Sequence, residues 1–172
     1  MNLQSILKLA GTAAVALVVM ASTHVSAQGN GTVLKAVDAQ KLLPSAVYYK
    51  GQSAPVQARN SGGVKFADGY YVLATLVDTS GYSTGIAAKY QGYLIVETPI
   101  TVGGMSLPAG VYGFGFIADN KFVITDVGAH DVFTVDTATD QKMKRPMPLQ
   151  VEADPGGGFR LYEGRKYVQF SR

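Results

Sequence analysis

One long apolar run opens the chain, and nothing like it returns. Residues 9–21 are interrupted only by Gly11 and Thr12, and Lys8 stands just before them. After Ala27 the apolar positions come in short runs broken by Gly, Pro, Asn and Asp, the pattern of strands and tight turns. Strands are expected over residues 46–50, 55–59, 64–66, 70–77, 86–90, 93–98, 100–102, 111–117, 121–127, 131–135, 149–152, 159–162 and 166–170. Turns are expected at Asn60-Ser61-Gly62-Gly63, Ala67-Asp68-Gly69, Gln91-Gly92, Asp154-Pro155-Gly156-Gly157-Gly158 and Glu163-Gly164. Asp119-Asn120 suits a two-residue hairpin, because both residues tolerate left-handed backbone. One helix is expected, over 38–43, capped by Asp38 and stopped by Pro44. The fold class is all-β: an antiparallel sandwich or a small closed barrel of many short strands.

Residues 111–117 alternate more sharply than the rest. Tyr112, Phe114 and Phe116 fall on one face, and Gly113 and Gly115 on the other. Two glycines in register mark a bend, or a close approach by another backbone or by a ligand. The aromatic face is expected to fill the core, and the bare face to be sheet contact or, alternatively, ligand-facing.

The opening run is too short to cross the hydrocarbon core, which takes roughly 20 apolar residues. Followed by Val25-Ser26-Ala27, it reads as an export signal cleaved after Ala27. Residues 28–34 then form a flexible leader and 35–172 a single β domain, a size that buries most of its unfolded surface without disulfides. The expected compartment is the periplasm or the medium. Twenty Gly, ten Tyr and seven Phe favour strands and turns, and the absence of cysteine removes any lipid-modified cysteine. The net charge of +3 loses one lysine with the signal, too small an excess to imply nucleic acid.

Residues 103–112 read Gly-Gly-Met-Ser-Leu-Pro-Ala-Gly-Val-Tyr. Gly103-Gly104 makes a tight hairpin, Pro108 sets φ in a second turn, and Gly110 ends that turn where a side chain would crowd the next strand. This resembles the Gly-Gly-x-x-Leu-Pro-Ala-Gly-x-Tyr motif of uncharacterised families of exported bacterial all-β proteins. The resemblance implies an exported β fold and brings no catalytic residue with it.

Several constellations imitate active sites. Gly81-Tyr82-Ser83-Thr84-Gly85 fits the nucleophile elbow of α/β-hydrolases, with Asp119, Asp126 and His130 downstream, but the strand expected over 86–90 stands where that elbow needs a helix. Asp78-Thr79-Ser80-Gly81 approximates an aspartic-protease turn, interrupted by Ser80 and without a second copy. His130 is the one histidine beyond the signal, so no metal or cofactor site is expected. Asp136 and Asp140 lack the ligand spacing of a calcium loop. Lys142, Lys144 and Arg145, before Pro146 and Pro148, form a basic extended loop suited to solvent or to an anionic polysaccharide. The leading expectation is a non-enzymatic exported module that binds a small molecule, a glycan or an envelope protein, without membrane insertion. A hydrolase through Ser83 or Asp78 is the alternative. A small outer-membrane barrel is the third, poorly matched by Lys166, Val168 and Phe170 on one face of the last strand.

Overall fold

The computed structural model describes residues 31–172; the expected signal, residues 1–27, lies outside them. Among these residues fall β1 (Gly31–Leu34), α1 (Ala36–Ala39), β2 (Ala46–Tyr49), the long β3 (Gln52–Phe66), β4 (Tyr71–Val77), α2 (Thr84–Ala87) and β5 (Gly92–Val96). A short hairpin follows, β6 (Ile100–Val102) and β7 (Met105–Leu107), then β8 (Gly110–Ile117), β9 (Lys121–Thr125) and β10 (Asp131–Asp136). The chain closes with β11 (Ala138–Thr139), β12 (Met147–Ala153), β13 (Phe159–Gly164) and β14 (Lys166–Ser171).

These strands form two antiparallel sheets, a sandwich rather than one closed barrel. The eight-stranded sheet runs β1-β3-β4-β5-β8-β9-β10, with β2 paired to the start of β3. The six-stranded sheet runs β12-β13-β14-β6-β7, with β11 beside β14. Alternation selects the core between them: Phe66, Leu94, Phe114, Phe116 and Phe122 from the first sheet meet Leu149, Val151, Phe159, Leu161 and Phe170 from the second. The aromatic face of β8 is therefore core, as its alternation implies.

Turn chemistry agrees where it is most specific. Gly103 and Gly104 take φ of 54° and 86° and close a two-residue hairpin, while Asp119 and Asn120 take 58° and 54° in a loop one residue longer than expected, since Ile117 pairs with Lys121 and Ala118 joins the turn. Gly110 leaves room for Tyr112, whose ring folds back so that its hydroxyl donates to the Pro108 carbonyl at 3.0 Å; a Cβ at Gly110 would stand 3.0 Å from that hydroxyl.

Four expectations are corrected. Residues 31–34 of the leader pair with β3 from Gly31↔Phe66 to Leu34↔Gly63. The helix begins earlier and is shorter than 38–43, with Lys35 at its N-cap and Asp38 inside its first turn. Asn60-Ser61-Gly62-Gly63 is a bulge inside β3, where the register shifts between Gln57 and Ser61. There Ser61 Oγ donates to the Ala58 carbonyl at 2.6 Å, and Gly62 lets β12 approach, since a Cβ would meet the Val151 amide nitrogen at 3.0 Å. Finally, residues 86–90 are helical turn, not strand. Ser83 stands at the N-cap of α2 without a side-chain capping bond, its carbonyl accepting from the Ala87 amide at 2.9 Å, and the Ile86 carbonyl accepts from the Tyr90 amide at 2.8 Å.

Candidate functional site

The bare face of β8 is covered from within the chain. A Cβ on Gly113 would stand 2.5 Å from Tyr49 Cε2, 2.6 Å from Thr125 Oγ1 and 2.9 Å from Tyr90 Cδ2, and one on Gly115 would run into the Lys89 carbonyl oxygen. The Tyr49 and Tyr90 rings stack with centroids 3.6 Å apart, and the Tyr49 hydroxyl and Thr125 Oγ1 hydrogen-bond at 2.7 Å. Val47, Ala54, Val77 and Tyr93 complete this second, smaller core. Neither glycine faces open space, so this strand offers no ligand cleft. Burial pushes the Tyr49 and Tyr90 phenols up, and the Tyr90 hydroxyl is buried without a hydrogen-bond partner.

The residues that imitate active sites stay apart chemically. A helical turn does follow Ser83, yet the serine sits at φ −61°, ψ 154°, exposed and unstrained, after an antiparallel strand. His130 Nδ1 contacts Asp126 Oδ2 at 3.0 Å, while Asp126 Oδ1 accepts from the Gly128 and His130 amides at 2.8 and 2.9 Å. These bonds close a β9–β10 turn, and among the described residues no hydroxyl bonds to the imidazole. Asp119 lies at the opposite end of β9. The Ser80 amide donates to Asp78 at 3.0 Å and holds its carboxyl below the usual range, opposite to what a proton-sharing pair requires. Asp136 accepts from Lys121 Nζ at 2.5 Å. No group of three or more metal-ligating side chains gathers among the described residues.

What the structure does gather is cationic. The Asp140 amide donates to the Arg165 carbonyl at 2.9 Å, and Arg165 Nε donates to the Met143 carbonyl at 3.2 Å. Asp140 Oδ1 accepts from the Lys142 amide at 2.9 Å, and its Oδ2 from the Tyr162 hydroxyl at 3.3 Å. The basic loop is thereby laid across the outer face of the second sheet, burying Tyr162 and bringing Lys142, Lys144 and Arg145 to the end of the β13–β14 hairpin, where Arg165 and Lys166 stand. None of these five cations has an ion pair among the described residues. Glu163, opposite Lys166 across the hairpin, is half-buried, and burial pushes its carboxyl up more than Lys166 draws it down.

Along the same face lies a polar set that sequence reasoning missed. Arg160 grips the buried Asp154 carboxylate through Nε to Oδ2 at 2.9 Å and Nη2 to Oδ1 at 3.1 Å, and lies 4.4 Å above the Tyr167 ring. Gly156 N–H and Gln169 Nε2 also donate to Asp154. Burial pushes the Asp154 carboxyl up, but these donors outweigh it and hold it below the ordinary range. The available signal was the alternation of Arg160 and Tyr162 with apolar neighbours, repeated by Tyr167 and Gln169 on the adjoining strand. Compared with family models, curated proteins and solved structures, the chain matches none, so its functional reading rests on this arrangement of its own residues.

Proposed function

We propose that this chain is exported, is cleaved after Ala27, and acts without catalysis as a binding module of the cell envelope, taking an anionic glycan on the basic end of its second sheet. The observation that carries the reading is the docking of the basic loop onto the β13–β14 hairpin. Two backbone-directed hydrogen bonds dock the loop beside the hairpin, so that five exposed or half-exposed cations share this end of the sheet with no ion pair among the described residues. Like charges gathered in this way repel one another, a cost that an anionic ligand reverses into attraction. The open outer face of the sheet and the loop laid across it suit a chain of spaced carboxylates or sulfates better than a small enclosed ligand. Export agrees with the short apolar run and the small residues at its end.

The test is binding of purified, processed protein to immobilised alginate and polygalacturonate across a salt series. Retention is expected at low ionic strength, falling as salt rises, and the Lys142→Ala/Lys144→Ala/Arg145→Ala variant should lose most of it. Equal retention of the variant and wild type at every salt concentration would refute the assignment. Mass spectrometry of the exported protein should show an amino terminus at Gln28; an intact signal in washed membranes would refute the compartment.

A further inference from the structure

At the other end of β14 from the cation cluster lies a cleft of about 310 Å³, near the lower limit of ordinary small-molecule sites. The β6–β7 turn forms one wall with Gly103 and Gly104, and the β12–β13 turn forms the other with Gly156 and Gly157. Left-handed φ values account for glycine at 103, 104 and 157. Gly156 is different: its φ is not left-handed, and a Cβ there would meet only Asp154 Oδ1, at an ordinary 3.4 Å. Neither backbone strain nor internal crowding calls for glycine at this point of the wall. Its open side lines the cleft.

The floor of the cleft is polar. Phe170 and Val102 turn inward to the core, so their neighbours Gln169, Ser171 and Thr101 turn outward, with Ser171 paired to Thr101. Gln169 Nε2 donates to Asp154, which Arg160 and the Gly156 amide hold in place, so the amide plane is fixed and its Oε1 has no donor among the described residues. The hydroxyls of Thr101 and Ser171 have no partner among the described residues. The two hydroxyls can each donate and accept and the amide oxygen accepts, and no cation or free carboxylate lines the cleft. That chemistry matches vicinal hydroxyls and suits neither an anion, an amine nor a hydrocarbon chain.

Tyr167, Gln169 and Ser171 occupy successive outward positions of one strand, spanning roughly 13–14 Å from the Arg160–Tyr167 stack to the cleft. The basic cluster begins where this track begins. We propose that the cleft is a second subsite that holds an uncharged, hydroxyl-bearing sugar unit of the same glycan whose anionic groups lie on Lys142, Lys144 and Arg145. This rests on the anionic-glycan reading above.

Binding to immobilised dextran, polygalacturonate, glucuronoxylan and hyaluronan, the last two of which intersperse uncharged with anionic units, is measured for wild type, for Thr101→Val/Ser171→Ala, for Gly156→Phe and for the triple cation variant, each checked by its unfolding midpoint. Removing the two hydroxyls should weaken the best-bound glycan roughly five- to tenfold at every salt concentration and leave the salt dependence unchanged. Filling the cleft with Gly156→Phe should do at least as much. The cation variant should instead flatten the salt dependence. Wild-type affinity in the folded hydroxyl variant, with binding lost in the cation variant, overturns the second subsite and leaves the anionic reading standing. Salt-independent binding by wild type, or none to any of the four polymers, overturns both. If Gly156→Phe does not fold, the hydroxyl pair decides alone.

Discussion

Replacing Gly113 by alanine adds one methyl group, and the structure says what it meets. The new Cβ lies 2.5 Å from Tyr49 Cε2 and 2.6 Å from Thr125 Oγ1, well inside carbon–carbon and carbon–oxygen contact. Tyr49 cannot yield cheaply, because its ring stacks 3.6 Å from Tyr90 and its hydroxyl bonds to the same Thr125 oxygen. Moving the ring therefore disturbs a stack and a buried hydrogen bond together. Overpacking of this kind costs about 1–3 kcal/mol, and the coupled losses place Gly113→Ala toward the upper end, about 2–3 kcal/mol. At this chain length, each kcal/mol lowers the midpoint by roughly 3–5 °C, so a fall of about 6–15 °C is expected. Gly115→Ala should be at least as severe, since its methyl group collides with the Lys89 carbonyl, which is backbone and has no rotamer to change. Thermal and urea unfolding of both variants beside wild type reads the effect. Wild-type midpoints in both would show that the second core does not pack on β8 and would refute the reasoning.

The same core supplies a pair of chemically identical changes with opposite outcomes. Tyr49→Phe leaves Thr125 Oγ1 buried without its partner and should cost about 1–3 kcal/mol, whereas Tyr90→Phe removes an unpartnered buried hydroxyl and should be neutral or stabilising in urea unfolding. Asp154→Asn should cost about 2–3 kcal/mol at neutral pH, below a fully buried pair because a fifth of the Arg160 side chain is exposed. A carboxyl held low in the fold contributes stability that is present above its unfolded value of about 3.9 and lost as pH falls through the folded one. Wild type should therefore lose stability below about pH 4 more steeply than Asp154→Asn in pH-dependent unfolding. Ser83→Ala should leave folding unchanged, and wild type should not react with a fluorophosphonate probe; stoichiometric labelling lost in the variant would establish a nucleophilic serine.

Local chemistry by itself determined a good deal of this protein. Period-two alternation put Phe114 and Phe116 in the core, and residues that accept left-handed backbone placed the hairpins at Asp119-Asn120 and Gly103-Gly104. Both depend on neighbours in sequence, so a linear reading reaches them. It failed where a distant partner set the local state. Residues 31–34 look like a polar leader until β3 offers its edge, and Gly62 looks like a turn until β12 lies against it. Residues 86–90 have strand-like composition, yet they form a helical turn that brings Tyr90 in to stack on Tyr49. The candidate binding face divides in the same way. Lys142, Lys144 and Arg145 are legible as a basic loop, but their meeting with Arg165 and the fixing of Gln169 by Asp154 join positions 15 to 25 residues apart. Only the folded sheet brings such groups within hydrogen-bond reach, because the directional bonds that hold them form only after strand register is set.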